Sequence, residues 1–252
     1  MTDFGFSLAE RRVLVTGASS GIGAAIAIRL ANAGANVVAV SRSGDVPESK
    51  GVISSLAADL SESAETDTVI KRAVDILDGL DILVNNAGRG DPMPFVDVDR
   101  EYFDGYVGLN LWAPLRLCQY AYEYLAQSSD PSVVMIGSVD AERPSPGSVV
   151  YGATKGALNA ATIALSKEWQ AAGIRVNQVN PGLVDTQLTS EIVRSLNKSG
   201  ESINIVGRAG LPDEIAGLVH YLVAPVGRFA NGGSYRIDGG ALALGPFDRW
   251  QQ

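Results

Sequence analysis

Tyr151 and Lys155 stand four positions apart in Tyr151-Gly152-Ala153-Thr154-Lys155, a spacing that sets a phenol and an ammonium group on one face of a helix. A phenol with its ordinary pKa of about 10 exchanges protons poorly near neutrality, but a neighbouring cation favours the phenolate and lowers that value. The pair can therefore make a tyrosine general acid/base. Ser138 ends an apolar run upstream, and its hydroxyl both donates and accepts. If the intervening loop folds back, Ser138 can hold a substrate oxygen against Tyr151. The Pro and Gly cluster at 143–148 lies in that loop, and its place between an expected strand and an expected helix suits an active-site loop better than a domain boundary. Tyr-x-x-x-Lys also occurs on solvated helix faces, so the elements around the pair decide its meaning.

Those elements alternate. Short β-like runs are expected at 12–16, 36–41, 51–57, 81–85, 132–137, 174–180 and 234–238, and helical patterns at 21–33, 62–77, 100–127, 150–171 and 212–223. Nearly continuous apolar strands separated by helices imply a parallel sheet covered on both faces. The expected fold is α/β, a Rossmann-type doubly wound parallel sheet, with ligands at the carboxyl ends of the strands. The 252 residues fit one domain spanning 1–252. The first strand runs into Thr16-Gly17-Ala18-Ser19-Ser20-Gly21-Ile22-Gly23. Glycines there allow a tight turn and close backbone approach, and the helix that follows turns unpaired N–H groups towards a pyrophosphate. The spacing is Gly-x-x-x-Gly-x-Gly, which differs from the Gly-x-Gly-x-x-Gly fingerprint.

Composition removes several classes of function. Hydrophobic residues make up 46% and charged residues 19%, which argues for a folded chain over a disordered one. No apolar run approaches membrane-spanning length, and Met1-Thr2-Asp3-Phe4-Gly5 lacks the features of a signal peptide; a cytoplasmic protein with no membrane partner is expected. A net charge of −8 opposes nonspecific nucleic-acid binding. Cys118 is the sole cysteine and His220 the sole histidine, so neither an internal disulfide nor a multi-histidine metal site is expected. Both are expected to be structural residues of helices.

Further along, Asp59-Leu60, Asn85-Asn86-Ala87-Gly88, Asn110, Ser138, Tyr151-x-x-x-Lys155, Pro181-Gly182 and Ile237-Asp238-Gly239-Gly240 follow the glycine loop. In this order and at these intervals they resemble the short-chain dehydrogenase/reductase family over nearly the whole chain, as a 3-oxoacyl reductase-like member. The resemblance implies that Tyr151 is the general acid/base and that Lys155 binds nicotinamide-ribose hydroxyls while lowering the tyrosine pKa. It implies that Ser138 positions the reacting oxygen and that Asn110 supports a water-mediated proton relay. The implied cofactor residues are Gly17, Ser19, Ser20, Gly21 and Ile22 in the loop, Asp59 and Leu60 by the adenine, and Asn86, Ala87 and Gly88 along the ribose side. Pro181, Gly182, Val184 and Thr186 fall around the nicotinamide, with the Thr186 hydroxyl and Val184 backbone on its carboxamide. No metal is implied.

NADP(H) is the expected cofactor, with NAD(H) possible. The second strand ends Ser41-Arg42-Ser43 with no carboxylate before Asp45, and a site selective for NAD commonly places an acidic residue there, whereas arginine accommodates a 2′-phosphate. The hydroxyls of Ser41 and Ser43 add candidate hydrogen bonds. The expected reaction interconverts a carbonyl and a secondary alcohol of a small molecule, with ketone reduction favoured. The alternative is a non-catalytic dinucleotide-sensing or interaction protein on the same fold. Residues 186–207 are expected to cover the substrate, and Asp140, Glu142 and Arg143 either recognise a polar substrate or form a solvated loop. Family resemblance also implies a homotetramer built on the helices at 100–127 and 150–171, whose Gly156, Ala157, Ala160, Ala161 and Ala164 allow close packing. Phe247 and Trp250 near the C-terminus pack either on a neighbouring subunit, in a pocket or on their own domain.

Overall fold

The computed structural model describes residues 5–199 and 203–243; Phe247 and Trp250 lie outside the described residues. Seven strands form one parallel sheet in the order β3-β2-β1-β4-β5-β6-β7. They are β1 (Arg12–Thr16), β2 (Asn36–Ser41), β3 (Ile53–Ala57), β4 (Ile82–Asn85), β5 (Ser132–Ile136), β6 (Arg175–Pro181) and β7 (Ser234–Ile237). Chain order reverses between β1 and β4, and there the carboxyl ends open the crevice that such sheets use for ligands. The register of Val13, Leu14 and Val15 against Ile82, Leu83 and Val84 sets the two ends side by side.

Helices cover both faces, as near-continuously buried strands require. The α1 helix (Gly21–Asn32) turns Ile26, Ala27 and Leu30 onto one face of the sheet, where α7 (Pro212–Val223) joins it with Ile215, Val219 and Leu222. On the other face α2 (Ser63–Leu77) contributes Val69, Ile70 and Ala73, and α4 (Ala113–Leu125) contributes Leu117, Cys118 and Ala121. Small residues predominate on α1, so it lies close to the sheet and its first turn reaches the crevice. Cys118 is buried in α4, which pushes its thiol up to about 12. His220, in α7, shares a hydrogen bond of 2.7 Å with the Phe6 carbonyl. Among the described residues no helix is long and apolar enough to cross a membrane.

The helix expected over 100–127 is not continuous. It divides into α3 (Arg100–Val107) and α4, joined by a turn of π-helix at Gly108–Trp112. Pro114 sits in the first turn of α4, where it has no N–H to continue the α-helical ladder and the wider turn absorbs the mismatch. The helix α5 (Val149–Glu168) carries Tyr151 and Lys155 in its first turns. A further helix, α6 (Ser190–Ser199), occupies part of the segment at 186–207 that was expected to cover a substrate, without a helix being assigned.

Candidate active site

A cleft of about 640 Å³ opens at the carboxyl ends of β1, β4, β5 and β6. It is built first of backbone. Gly17 has φ +64°, and a Cβ there would lie 2.9 Å from the Ala87 Cα, while one on Gly23 would lie 2.2 Å from the Gly17 carbonyl oxygen. Only glycine permits the loop after β1 to fold this tightly against the end of β4. Ser20 precedes α1 with its side chain uncommitted as a cap, and there is no acidic residue in the first turn. The helix N-terminus therefore faces the cleft with free N–H groups at Gly21 and Ile22, the donor set that a pyrophosphate requires.

Asn86 and Thr16 fix that loop. The Asn86 amide donates to the carbonyls of Thr16 and Gly17 at 2.9 and 3.1 Å, and the Thr16 hydroxyl accepts from the backbone N–H of Asn86 and Ala87 at 2.9 and 3.0 Å. Opposite, Pro181, Gly182, Val184 and Thr186 line the cleft. Thr189 braces them: its hydroxyl donates to the Val184 carbonyl and lies 3.0 Å from the Thr186 hydroxyl.

The reactive groups converge in the centre. Ser138 follows the end of β5 and Tyr151 enters from α5; both line the cleft, with the Ser138 hydroxyl among the groups that act on the Tyr151 phenol. Lys155 lies beneath, fully enclosed, with Nζ 5.8 Å from the Tyr151 ring centroid and donating at 2.8 Å to the Ile136 carbonyl. Burial lowers the lysine from its ordinary value to about 8. An ammonium has three donors, so the donors not used on Ile136 remain for hydroxyls in the cleft, which Lys155 lines. These residues fit a nicotinamide dinucleotide. Asn110 sits in the π turn, where its Oδ1 accepts from the Arg89 N–H and its Nδ2 donates to the Arg89 carbonyl, both at 2.9 Å. Gly88 allows this approach, since a Cβ there would stand 3.1 Å from Asn110 Oδ1.

Several expectations change in detail. Tyr151 is pushed above its ordinary value, not below it: burial raises it most, the Ser138 hydrogen bond pulls it down, and the charge of Asp140 raises it further. The lowering expected from Lys155 is absent because burial lowers that lysine to about 8, so it has already lost its proton where the phenol titrates. Arg42 reaches the cleft, but the Ser41 hydroxyl donates at 3.3 Å to the Asp45 carbonyl and Ser43 donates at 2.7 Å to the Asp45 carboxylate. Those two hydroxyls are engaged within their own turn. Ser19 is exposed on the glycine loop, Leu60 is buried in the core, and Asp59 accepts from Ser61 at 2.7 Å. None of these three, nor Ser41, lines the cleft. Asp140 turns towards Ser145 and Ser148, and Glu142 lies 3.8 Å from Arg236.

Other lining residues, among them Arg89 and Gly137, were not singled out from the sequence, whereas Gln187 and Leu188 fall in the segment at 186–207 expected to cover the substrate. Arg89 follows directly on the Asn-Asn-Ala-Gly turn, which is the signal that could have found it. Its guanidinium pairs with Asp91 at 2.9 Å and lies 4.8 Å over the Tyr106 ring.

A dinucleotide-fitted crevice with a Ser-Tyr-Lys centre defines the class of an oxidoreductase, and comparison with known proteins gives the family. The family model described as enoyl-(acyl carrier protein) reductase matches residues 17–241. A tropinone reductase homolog from Datura stramonium is 34% identical, with 95% of each chain covered. A putative short-chain alcohol dehydrogenase from Sinorhizobium meliloti superposes with a TM-score of 0.86 at 33% identity, covering 95% of this chain and 99% of that one. A short-chain dehydrogenase from Burkholderia cenocepacia, solved in complex with NADP, gives 0.82 at 32% identity, covering 93% and 99%. The chain belongs to the short-chain dehydrogenase/reductase family of oxidoreductases.

Proposed function

We propose that the protein is an NADP-preferring enzyme that interconverts a ketone and a secondary alcohol, with reduction as its working direction. The observation that carries this reading is that Ser138, Tyr151 and the buried Lys155 line one cleft, with Lys155 Nζ 5.8 Å from the Tyr151 ring centroid. A bound nicotinamide supplies the hydride in reduction and accepts it in oxidation. The protein does the rest. Ser138 and Tyr151 hold the carbonyl oxygen, and Tyr151 gives up the proton from Oη as that oxygen gains charge. A tyrosine held above its ordinary pKa carries this proton at neutral pH and releases it only to a stronger base, which the alkoxide forming on the substrate is. Lys155 binds ribose hydroxyls and helps to return the proton to Oη. Asn110 has both ends of its side-chain amide on Arg89, so its part in a proton relay passes through its main chain, which lies in the π turn.

Arg42 carries the cofactor preference. It makes no hydrogen bond or salt bridge among the described residues while lining the cleft, which leaves its planar fork available to a 2′-phosphate. The protein reads as one cytoplasmic domain with 186–207 as the covering segment, and as a homotetramer. Kinetics across a panel of ketones and secondary alcohols, with each nicotinamide cofactor, tests the reading. Tyr151→Phe should lower kcat by about 10²–10⁴-fold with cofactor affinity kept. Arg42→Ala should lower kcat/KM for NADPH by about 10–100-fold and leave NADH little changed, the range of one or two charge-assisted bonds. Near-normal turnover in folded Tyr151→Phe would eliminate the mechanism. Cofactor binding with no turnover on any substrate would instead favour a sensor.

A further inference from the structure

We infer that Gly90 and Leu188 frame an apolar recess beside the Tyr151 phenol, which selects a ketone carrying a bulky apolar substituent, a ring or a branched chain, on one side of its carbonyl. The inference deepens the proposed function and rests on it for the reaction at Tyr151. A Cβ on Gly90 would have as its nearest neighbours from other parts of the chain Tyr151 Cε2 at 3.8 Å, Leu188 Cδ2 at 3.9 Å and Tyr151 Cζ at 4.0 Å. Those are ordinary contact distances between carbons, and the backbone of Gly90 lies outside the left-handed region that favours glycine. The fold would thus accept a side chain at this position. Glycine leaves the room to a ligand carbon instead, in contact with a tyrosine ring on one side and a leucine methyl on the other. Cζ bears the reacting hydroxyl, so the recess lies where a substituent of a carbonyl held at Oη would go.

The walls of the recess are held in place. Asn110 fixes Arg89 through its N–H and its carbonyl, both at 2.9 Å, and the hydroxyls of Tyr102 and Tyr106 donate to the Asp91 carbonyl at 2.6 and 2.5 Å. Gly90 lies between these anchors, so four hydrogen bonds set its distance from Tyr151. Arg89 turns its guanidinium onto the Tyr102 and Tyr106 rings, and the Tyr106 ring packs edge-on against that of Tyr151 with centroids 6.4 Å apart. The phenol is thereby backed from α3. On the other wall Leu188 stands next to Thr189, whose hydroxyl donates to the Val184 carbonyl and whose N–H donates to the Thr186 carbonyl at 3.2 Å. Leu188 lines the cleft and is 64% exposed. Covering its methyls and the tyrosine ring edge with an apolar substituent supplies binding that a small ketone cannot match.

The test is the ratio of kcat/KM for cyclohexyl methyl ketone to that for acetone, measured with the full-length protein. Gly90→Ala places a methyl in the recess and should lower the ratio by about 10–200-fold, the range that one methylene makes in an apolar pocket. Leu188→Phe, a change at an exposed position, narrows the recess from the other wall and should lower the ratio in the same direction. An unchanged ratio in folded Gly90→Ala, including one produced by equal losses on both ketones, overturns the inference. Should Gly90→Ala fail to fold, an unchanged ratio in Leu188→Phe overturns it. Absence of turnover on both ketones in the parent, with either nicotinamide cofactor, overturns the oxidoreductase reading instead. The recess is then read by ligand-observed NMR with the same two ketones: Gly90→Ala should bind cyclohexyl methyl ketone more weakly than the parent does, relative to acetone, and equal binding by both proteins overturns the inference.

Discussion

At the scale of single residues, Lys155 costs the fold something that its chemistry requires. Its side chain is buried and its pKa is held near 8 against an ordinary 10.5, by desolvation alone. A lysine lowered in the folded state is destabilising wherever it is charged in both states, so the cost is full below about pH 8. It fades as the folded-state ammonium loses its proton first, and it is gone above the unfolded value. In the cofactor-free protein Lys155→Met should therefore be more stable than the parent at pH 7, by up to about 3 kcal/mol for a shift of this size. The gap should close between pH 8 and the ordinary lysine range, as read by urea unfolding across that window. A variant less stable than the parent at pH 7 would show that the Ile136 hydrogen bond outweighs the desolvation. Turnover should be lost in either case. The type and spacing of Tyr151 and Lys155 were legible in the sequence because a helix converts four positions into one face. The sign of the tyrosine shift was not legible, because it depends on how far burial of both groups outweighs their attraction.

At the scale of elements, periodicity marked strands and helices well and their joins poorly. Pro114, inside an otherwise helical pattern, was the visible sign that 100–127 would not run as one helix. Its consequence, a π turn that carries Asn110 to Arg89, needs the tertiary contact to appear. Ser41 and Ser43 show the same limit: their types suited a phosphate, but Asp45 lies within the same turn and engages them. Far from the cleft, the amino ends of the strands are joined by charge. Asp130, just before β5, accepts from Arg11 at 3.3 Å and Arg228 at 3.0 Å, and Arg175 of β6 lies 3.8 Å away. Arg175 is buried and also donates to the Leu222 carbonyl at 2.7 Å, so this one carboxylate balances cations from three parts of the chain. Removing it leaves Arg175 buried without its counter-charge. Asp130→Ala should cost about 3–5 kcal/mol, seen as a lower urea midpoint with an unchanged slope. A loss within about 0.5 kcal/mol, the ordinary range for an indifferent surface position, would mean the cluster is not what holds these ends together.

At the scale of the whole molecule, the question is what covers the outer faces of α4 and α5. The small residues of α5 had two readings from sequence, packing onto the chain's own sheet or onto another chain. In the structure Ala157, Ala160 and Ala164 are exposed, while Leu158 and Thr162 take the inward face. Trp112 at the junction of α3 and α4, Tyr122 on α4, and Val149 and Ile163 on α5 are 48%, 39%, 48% and 39% exposed. Scattered apolar residues on a surface are ordinary, but a row of small exposed residues along α5 lets the helix of a second copy approach closely. We expect a homotetramer, and multi-angle light scattering should give about four times the 26.4 kDa chain mass. Placing a long charge in the small-residue row, as in Ala160→Arg, should break that species into smaller ones while leaving dinucleotide binding measurable, because the cleft opens at the strand ends and not on this face. A parent protein that scatters as a monomer at every concentration, or an Ala160→Arg variant that remains tetrameric, would remove α5 from the assembly.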